Sequence, residues 1–443
     1  MKTNVATKVN LKTHEGAPAK RIDAEAQLRR SLMACMLWED TFYEDGESIA
    51  NRIASLVPKV EPQKVASMAV EAREKMKLRH APLWVVREMA RQPKHKAFVA
   101  NTLTRIIQRA DELTEFVALY WKDGRQPLSK QVKKGLAQAF TKFDSYQLAK
   151  YNRNGMVKLR DVLFLCHAKP KDEAQGEIWK QLVNGTLPAP DTWEVSLSAC
   201  KDKKETWERL LAENKLGGLA LLRNLRNMAE SKVNESLIFK AIDKMKVERI
   251  LPFRFIAAAK YVPQWESHIE KAMLKCLDGR EKLPGKTVLL VDVSGSMDSY
   301  ISNKSDLMRY DAANGLAILA RELCEQVSIY SFSNNVVRIP NRHGFALRDA
   351  IANSQYHGGT YLGEAVRYIN NNEIYDRLIV LTDEQSHDAV PNPNGRGYVI
   401  NIASYQNGVG YGAWNHIDGW SEAVLDYIFA YEGLGVDREE ESK

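Results

Sequence analysis

The 443-residue sequence has few cysteines, no long apolar run and no apolar segment near its start. Its five cysteines are scattered and never form a CxxC pair, which argues against both a disulfide framework and a zinc cluster. No uninterrupted apolar stretch reaches the roughly 18 to 20 residues that a membrane span needs. The basic residues at the start are not followed by the apolar core of a secretion signal. We therefore expect a protein of the reducing cytoplasm with no membrane partner.

Charge is divided unequally along the chain. From Lys286 onward there are 12 Lys plus Arg against 21 Asp plus Glu, which leaves 51 against 35 for the first 285 residues. The overall charge of +7 is therefore the sum of +16 in the first part and −9 in the second. Such asymmetry indicates that the first part meets a polyanion. The alternative is that the charge only keeps a long helical surface soluble.

The first 285 residues show helical periodicity almost throughout. In Lys96–Trp121 the apolar residues recur at three- and four-residue spacing, which predicts one amphipathic helix or a helical pair broken near Asp111. Strand signals are nearly absent there. About a dozen short helices without strands favour a solenoid of stacked helical hairpins, although no clean repeated motif is visible. The same spacing predicts helices in Ala24–Phe42, Ser48–Leu56, Pro62–Lys77, Pro82–Arg91, Lys130–Phe143, Trp179–Leu182, Trp207–Leu211, Leu216–Met228 and Val233–Ile242.

Near Lys286 the pattern changes to short, continuous apolar runs rich in β-branched residues. These runs predict buried strands at Thr287–Val293, Val327–Phe332, Arg377–Thr382 and Gly397–Ala403. Intervening helices are predicted at Asp306–Cys324, Gly344–Ala352, Leu362–Asn370 and Ser421–Tyr431. Together they predict an open parallel sheet with helices on both faces. Ligands of such a sheet bind at the carboxyl ends of its strands.

A DxSxS motif, Asp292-Val-Ser294-Gly-Ser296, follows the first of these strands. Alternate residues of an extended loop point to the same side, so a carboxylate and two hydroxyls can converge on a hard cation. The motif alone is weak. Thr360, which opens a predicted helix after two glycines, and Asp383, just beyond a later strand, would lie on the same rim and strengthen it.

Two other patterns are set aside. Gly279–Thr287 resembles a phosphate-binding loop, but it has one residue too many and enters a strand, so no helix N-terminus is present to hold phosphate. His357 and His387 flank the metal-site loops but lack metal-ligand spacing such as HExxH, which disfavours a zinc hydrolase. Ser294 lacks a positioned base, which disfavours a nucleophilic role.

The densest basic chemistry of the first part lies between Lys130 and Lys171. Lys and Arg neutralise phosphates, while a Tyr or His side chain can stack on exposed bases. The alternative is a solvated basic face with the aromatic side chains packed in the core, and the residues alone leave both interpretations open. The residues of this segment that could take part are Lys130, Lys133, Lys134, Lys150, Tyr151, Arg153, Arg160, His167, Lys169 and Lys171.

The second part of the chain resembles the von Willebrand factor A domain, an α/β Rossmann-like fold with a metal-ion-dependent adhesion site. That site combines a DxSxS loop, a Thr from a later loop and an Asp after a central strand. The resemblance implies Mg²⁺ as the ion, with one coordination position open for an acidic group of a partner. The implied ligands are Asp292, Ser294, Ser296, Thr360 and Asp383.

The first part resembles the TROVE module of the Ro ribonucleoprotein family. The segments that carry this resemblance are Arg153–Gly155, Leu163–Pro170, Trp207–Leu211, Leu221–Met228 and Ile250–Ile256. Together with the A-type domain they extend the resemblance from about residue 13 to about residue 431. It implies a HEAT-like helical-repeat ring (an α-solenoid) over residues 1–283, closed by a von Willebrand factor A domain over residues 284–443.

The resemblance also implies a non-catalytic RNA-binding scaffold. The RNA-contacting residues that it implies are Lys133, Lys134, Lys150, Tyr151, Arg153, His167 and Lys169. The scaffold's ligands would be small noncoding Y-like RNA and the single-stranded ends of misfolded RNA, and its role RNA quality control. The ring would be monomeric, and bacterial relatives tether an exoribonuclease, polynucleotide phosphorylase, through Y RNA. Two departures stand out: Phe164 occupies a position that is basic in animal relatives, and the stretch between Gly155 and Asp161 is one residue longer. The short chain indicates a bacterial or phage member.

Two other classes of function compete with the scaffold. A metal-dependent protein-adhesion module would assemble a partner complex through the A domain, with the basic helices incidental. A metal-dependent nuclease or phosphoesterase is the least favoured, because one hard-metal site is visible and no general base accompanies it.

Overall fold

The computed structural model describes residues 11–19, 23–33, 45–188, 192–199, 202–248, 250–301, 307–403, 405, 408–410, 412–421 and 423–432. The chain forms two compact units. One contains residues 1–47, 218–226 and 242–443, and the other contains residues 48–217 and 227–241. Within the described ranges, no helix is both long enough and apolar enough to cross a membrane.

The chain before the sheet is helical, as the periodicity predicts. The broken pair expected in Lys96–Trp121 is present as two helices on either side of Asp111. Residues 34–42 of the first predicted helix lie outside the described residues. The helices are α1 Ala24–Met33, α2 Gly46–Leu56, α3 Pro62–Glu74, α4 His80–Arg91, α5 Lys96–Ile106, α6 Asp111–Tyr120, α7 Lys130–Phe140, α8 Ser145–Tyr151, α9 Leu159–Cys166, α10 Glu173–Asn184, α11 Trp193–Ala199, α12 Lys203–Ala212, α13 Gly218–Glu230, α14 Glu235–Lys244, α15 Phe253–Tyr261 and α16 Glu266–Leu274.

Close helix packing holds the unit around residues 48–217 together. The side chains of Phe116 and Phe140 are fully buried in it. At Gly135 of α7, a Cβ atom would lie 2.9 Å from the main-chain oxygen of Ala100 in α5, so the absence of a side chain permits the approach of these two helices. A buried ion pair joins Arg73 to Glu112 at 2.7 Å, which satisfies two charges that burial would otherwise penalise.

The other unit contains a six-stranded sheet in the order β3-β2-β1-β4-β5-β6, parallel except for β3, which pairs antiparallel with β2. The central strands β1 and β4 are buried and pair directly. The strands are β1 Leu283–Asp292, β2 Cys324–Phe332, β3 Val336–Arg338, β4 Arg377–Thr382, β5 Arg396–Asn401 and β6 Trp414–Asp418, with helices α17 Arg309–Glu322, α18 Gly344–Ala352, α19 Leu362–Asn372 and α20 Ala423–Tyr431.

The predicted order of a helical region followed by an α/β sheet domain is confirmed, whereas the closed ring of HEAT-like repeats remains a prediction. The four predicted strands correspond to β1, β2, β4 and β5, whereas the edge strands β3 and β6 were not anticipated from the sequence. The segment Gly279–Thr287, whose sequence resembles a phosphate-binding loop, leads into β1 as expected. The domain boundary at residues 283 and 284 falls at the start of β1 and remains a proposal.

Candidate functional site

The DxSxS motif begins at the last residue of β1. Asp292 is fully buried, and its two carboxylate oxygens accept hydrogen bonds from the Ser294 amide at 2.9 Å and from the Thr382 hydroxyl at 2.6 Å. The hydroxyl oxygens of Ser294 and Ser296 lie 3.3 Å apart. The turn therefore places two hydroxyl oxygens side by side, next to a carboxylate whose orientation is fixed.

Thr360 and Asp383 reach the same rim through the topology of the sheet. Strand β4 pairs in parallel with β1, with Leu381 opposite Val291, so Asp292 and Asp383 follow neighbouring strands at the same end. The loop that carries Thr360 is tied to the DxSxS loop, because the Gly295 amide donates to the Gly358 carbonyl at 2.8 Å. The structure thus gathers the five residues at one edge of the sheet, while their binding of a metal remains a prediction.

The electrostatics of this edge favour a cation. Burial, together with the negative charge of Asp383, holds the pKa of Asp292 well above its usual range. Asp383 contacts the guanidinium of Arg309 at 3.2 Å, and both side chains are almost fully buried. A divalent ion would relieve the repulsion between the two carboxylates, and carboxylate and hydroxyl oxygens are the ligands that Mg²⁺ prefers.

The hydroxyl groups are essential to this fit. Among the described residues, no three His, Cys, Asp or Glu side chains are grouped in a way that could hold a metal ion. His357 instead lies 3.0 Å from a carboxylate oxygen of Asp298, and His387 stacks on the Tyr361 ring with centroids 5.1 Å apart. A hard-cation site with serine and threonine ligands is the arrangement that the donor set supports.

The loop after Asp383, residues 384–387, holds the main chain of Thr360. The His387 amide donates to the Thr360 carbonyl at 2.8 Å, and the Thr360 amide donates to His387 Nδ1 at 3.1 Å. The Ser386 hydroxyl also donates to the Thr360 carbonyl, at 3.3 Å. The loop therefore connects two predicted ligands, because it directly follows Asp383 in the chain and is hydrogen-bonded to the main chain of Thr360.

Residues 13–15 contact the same loop. This contact was not predicted from the sequence. The Thr13 hydroxyl donates to the Ser386 carbonyl at 2.7 Å, and the His14 amide donates to Gln385 Oε1 at 2.8 Å. One carboxylate oxygen of Glu15 lies 3.2 Å from His387 Nε2. The segment carries no recognisable motif and precedes the loop by about 370 residues, so no local signal in the sequence could have revealed the contact.

Helix α1 is joined to this region by a buried charge cluster. Arg30 pairs with Glu384 and lies 3.5 Å from an oxygen of Asp418, and all three side chains are at least 96% buried. His416 contacts Glu384 at 3.2 Å and Asp418 at 3.1 Å. Burial alone would lower the pKa of His416, but the two carboxylates together raise it to about 9. The cluster therefore contains two cations and two anions at neutral pH.

The predicted RNA-binding residues are placed on and around α7, α8 and α9. Lys134, Arg153 and Lys169 are exposed, and Lys133 and Lys150 are half-buried. His167 ends α9 in the left-handed conformation, with φ of 52°, and its side chain is exposed. The alternative interpretation, in which this histidine packs in the core, is thus excluded by its position.

Tyr151 differs from the other candidates. Its ring is half-buried, and the guanidinium carbon of Arg109 lies 4.7 Å from the ring centroid. Arg109 is in turn paired with Asp111 at 2.8 Å. One face of the tyrosine ring is therefore occupied by a residue of its own unit, which supports a packing role for Tyr151.

Helix α9 presents an exposed face that the sequence did not reveal. Arg160, Phe164 and His167 follow each other at four- and three-residue spacing, which places them on one side of the helix. The Phe164 side chain is 60% exposed. Helix α9 packs against α7, which carries Lys133 and Lys134. Phe164 therefore shares an exposed helix face with a guanidinium and an imidazole group.

Comparisons with known proteins define the class. Residues 179–279 match the TROVE domain family, and residues 287–385 match the von Willebrand factor type A domain family. The chain therefore carries a TROVE domain followed by a von Willebrand factor A domain, and the predicted combination is confirmed. The α7–α9 residues precede the matched TROVE segment.

Individual relatives are more distant. The chain is 32% identical over 89 residues to telomerase protein component 1 of Mus musculus, a match that covers 19% of this chain and only 3% of that protein. The structure of the RO (RSR) protein of Deinococcus radiodurans superposes with a TM-score of 0.61 at 18% identity, covering 92% of this chain and 99% of that chain. The second similarity shows that the fold is shared along most of both chains.

Proposed function

We propose that this chain is a non-catalytic RNA-binding scaffold of the Ro type, which binds Y-like small noncoding RNA and the single-stranded ends of misfolded RNA. The observation that carries the proposal is the exposed face of α9, where Phe164 stands between Arg160 and His167. An exposed aromatic ring beside an arginine and a histidine is a combination with which proteins bind unpaired nucleotides. The TROVE match and the +16 charge of the first 285 residues support the same class of ligand.

Different groups on this surface would contact the phosphates and the bases of the RNA. Exposed Lys134, Arg153 and Lys169 can neutralise phosphates, which provides affinity without sequence preference. His167 and Phe164 can contact bases that are not paired. We therefore expect a preference for RNA that has a loop or a single-stranded end over fully paired duplex.

Charge reversal tests this surface. We expect the triple variant of Lys133, Lys150 and Arg153 to Glu to bind a stem-loop RNA more weakly and to reduce the slope of log Kd against log salt by about 2 to 3, because roughly one counterion is released for each phosphate neutralised. The control reverses three exposed lysines elsewhere in the same unit, Lys59, Lys94 and Lys96. Equal affinity and slope for the test variant and the wild type would exclude this surface.

The identity of the RNA requires a separate measurement. Crosslinking followed by sequencing of copurified RNA should yield a dominant Y-like stem-loop species. Recovery of bulk RNA without a dominant species would reduce the function to general affinity for nucleic acid. A Y-like RNA would in turn allow recruitment of an exoribonuclease such as polynucleotide phosphorylase.

The edge of the sheet supports a second function, metal-dependent docking of a protein partner. Asp292, Ser294, Ser296, Thr360 and Asp383 would hold Mg²⁺, and the ion would supply an attachment point for an acidic group. We expect isothermal titration to detect Mg²⁺ binding that Asp292→Ala abolishes, with RNA affinity unchanged. Asp426→Ala, on exposed surface of α20, is the matched control. Equal Mg²⁺ binding by wild type and Asp292→Ala would reject the site.

A further inference from the structure

Residues 12–18 form a defined hairpin, here called the N-terminal hairpin. The Thr13 amide donates to the Ala17 carbonyl at 2.9 Å, and the Thr13 hydroxyl accepts from the Ala17 amide at 3.0 Å. Gly16 adopts a φ of +93°, a conformation that L side chains rarely adopt. The hairpin therefore has its own internal hydrogen bonds and a turn that requires glycine.

The hairpin lies against the loop that connects two predicted metal ligands. Successive residues Thr13, His14 and Glu15 contact Ser386, Gln385 and His387, as described above. The His14 ring also meets the Tyr405 ring edge-on, with centroids 5.9 Å apart. Ser386 and His387 are themselves hydrogen-bonded to the main chain of Thr360. The hairpin therefore contacts residues that directly position a predicted metal ligand.

Helix α1, which follows the hairpin in the chain, is also anchored to this region. Twelve residues after the end of the hairpin, Arg30 of α1 is buried against Glu384 and Asp418. Both regions therefore contact residues 384–387, which directly follow Asp383. This double attachment keeps an acidic side chain, Glu15, at the rim of the site at a high effective concentration.

We propose that the N-terminal hairpin is an in-chain ligand of this metal site, with Glu15 donating a carboxylate oxygen to the bound divalent ion. The inference rests on the proposed metal site. Five side chains supply the site, whereas Mg²⁺ binds with octahedral geometry, so at least one position remains for another oxygen. Glu15 is 30% exposed, and its two carboxylate oxygens lie 3.2 Å from His387 Nε2 and 3.1 Å from His14 Nδ1; binding to the ion would replace these contacts.

The consequence concerns partner binding. An external protein that presents a carboxylate to the ion must first displace Glu15, so the site is occupied from within until a partner competes successfully. Metal binding and order in the hairpin are then reciprocally linked, since each stabilises the other.

The test compares Glu15→Gln with Glu325→Gln, a matched change of an exposed carboxylate near the opposite end of the sheet, at the start of β2. Mn²⁺ is titrated into each full-length protein, and bound water is counted by water-proton relaxation. We expect Glu15→Gln to bind Mn²⁺ about tenfold more weakly, as loss of a metal-supporting group typically does, and to gain one bound water. Glu325→Gln should match the wild type.

Hydrogen exchange provides an independent measurement. We expect Mn²⁺ to slow exchange of the Thr13, Gly16 and Ala17 amides in the wild type and not in Glu15→Gln. If Glu15→Gln matches the wild type in affinity, hydration and exchange while Asp292→Ala loses Mn²⁺ binding, the metal site stands and the role of the hairpin is wrong. If Asp292→Ala binds Mn²⁺ as the wild type does, the metal site itself is wrong, and the inference with it.

Discussion

Replacement of Phe164 by alanine isolates base stacking from charge. The side chain is 60% exposed, so its removal sacrifices little packing, and surface substitutions of this kind change stability by about 0.5 kcal/mol or less. Stacking of one base on an aromatic side chain contributes about 1 to 3 kcal/mol. At 1.4 kcal/mol per factor of ten, we expect Phe164→Ala to bind single-stranded RNA roughly 5- to 150-fold more weakly.

Fluorescence anisotropy with a labelled single-stranded oligonucleotide measures this effect, repeated at several salt concentrations. Because no phosphate contact is lost, the salt dependence of Phe164→Ala should keep the wild-type slope. Phe164→Trp retains an aromatic face and should restore affinity. Ile374→Ala removes a 91% exposed apolar side chain from the other unit and should leave binding unchanged.

Two results would contradict the prediction for Phe164→Ala. If Phe164→Ala binds the oligonucleotide as tightly as the wild type at every salt concentration, α9 does not stack a base and the face argued from its helical register is wrong. A loss of affinity accompanied by a shallower salt slope would also contradict the reasoning, because it would mean that the substitution disturbs the neighbouring cations.

Two further predictions concern stability. Gly135→Val should lower the free energy of unfolding by about 1 to 3 kcal/mol, measured in urea, because its side chain must push α5 and α7 apart; an unchanged midpoint would contradict this. The pKa of His416, which faces Glu384, Asp418 and Arg30, is raised from 6.5 to about 9. Protonated His416 therefore stabilises the folded protein fully below pH 6.5, and this stabilisation is lost as the pH rises through 9. Thermal unfolding between pH 6 and 10 should show a loss on the order of 3 kcal/mol, which His416→Gln abolishes.

The sheet and its candidate metal-binding edge were predictable because their signals are local. Buried strands such as Arg377–Thr382 are continuous apolar runs, and the motif residues directly follow them in the sequence. Parallel pairing then brings Asp292 and Asp383 to the same edge without further information. Strand β6 escaped prediction because Trp414–Asp418 contains Asn, His and Asp, whose polar character is compatible with an edge position.

The basic surface was only partly predictable because it is assembled from several helices. Composition identifies Lys133, Arg153 and Lys169, but exposure depends on which side of each helix packs inward. Tyr151 reads as a stacking residue in the sequence and proves to be covered by Arg109 on one face. Phe164 reads as a departure from the family pattern and proves to be exposed between two polar groups.

The charge asymmetry of the sequence acquires a more specific meaning from these sites. An acidic second part would repel RNA, so we assign RNA contact to the α7–α9 surface. A divalent ion bound beside Asp292 and Asp383 would attract an acidic side chain. Glu15 already lies 3.2 Å from the loop that positions Thr360. On these proposals the N-terminal hairpin and the sheet would serve one electrostatic site, whereas RNA binding would depend on α7, α8 and α9.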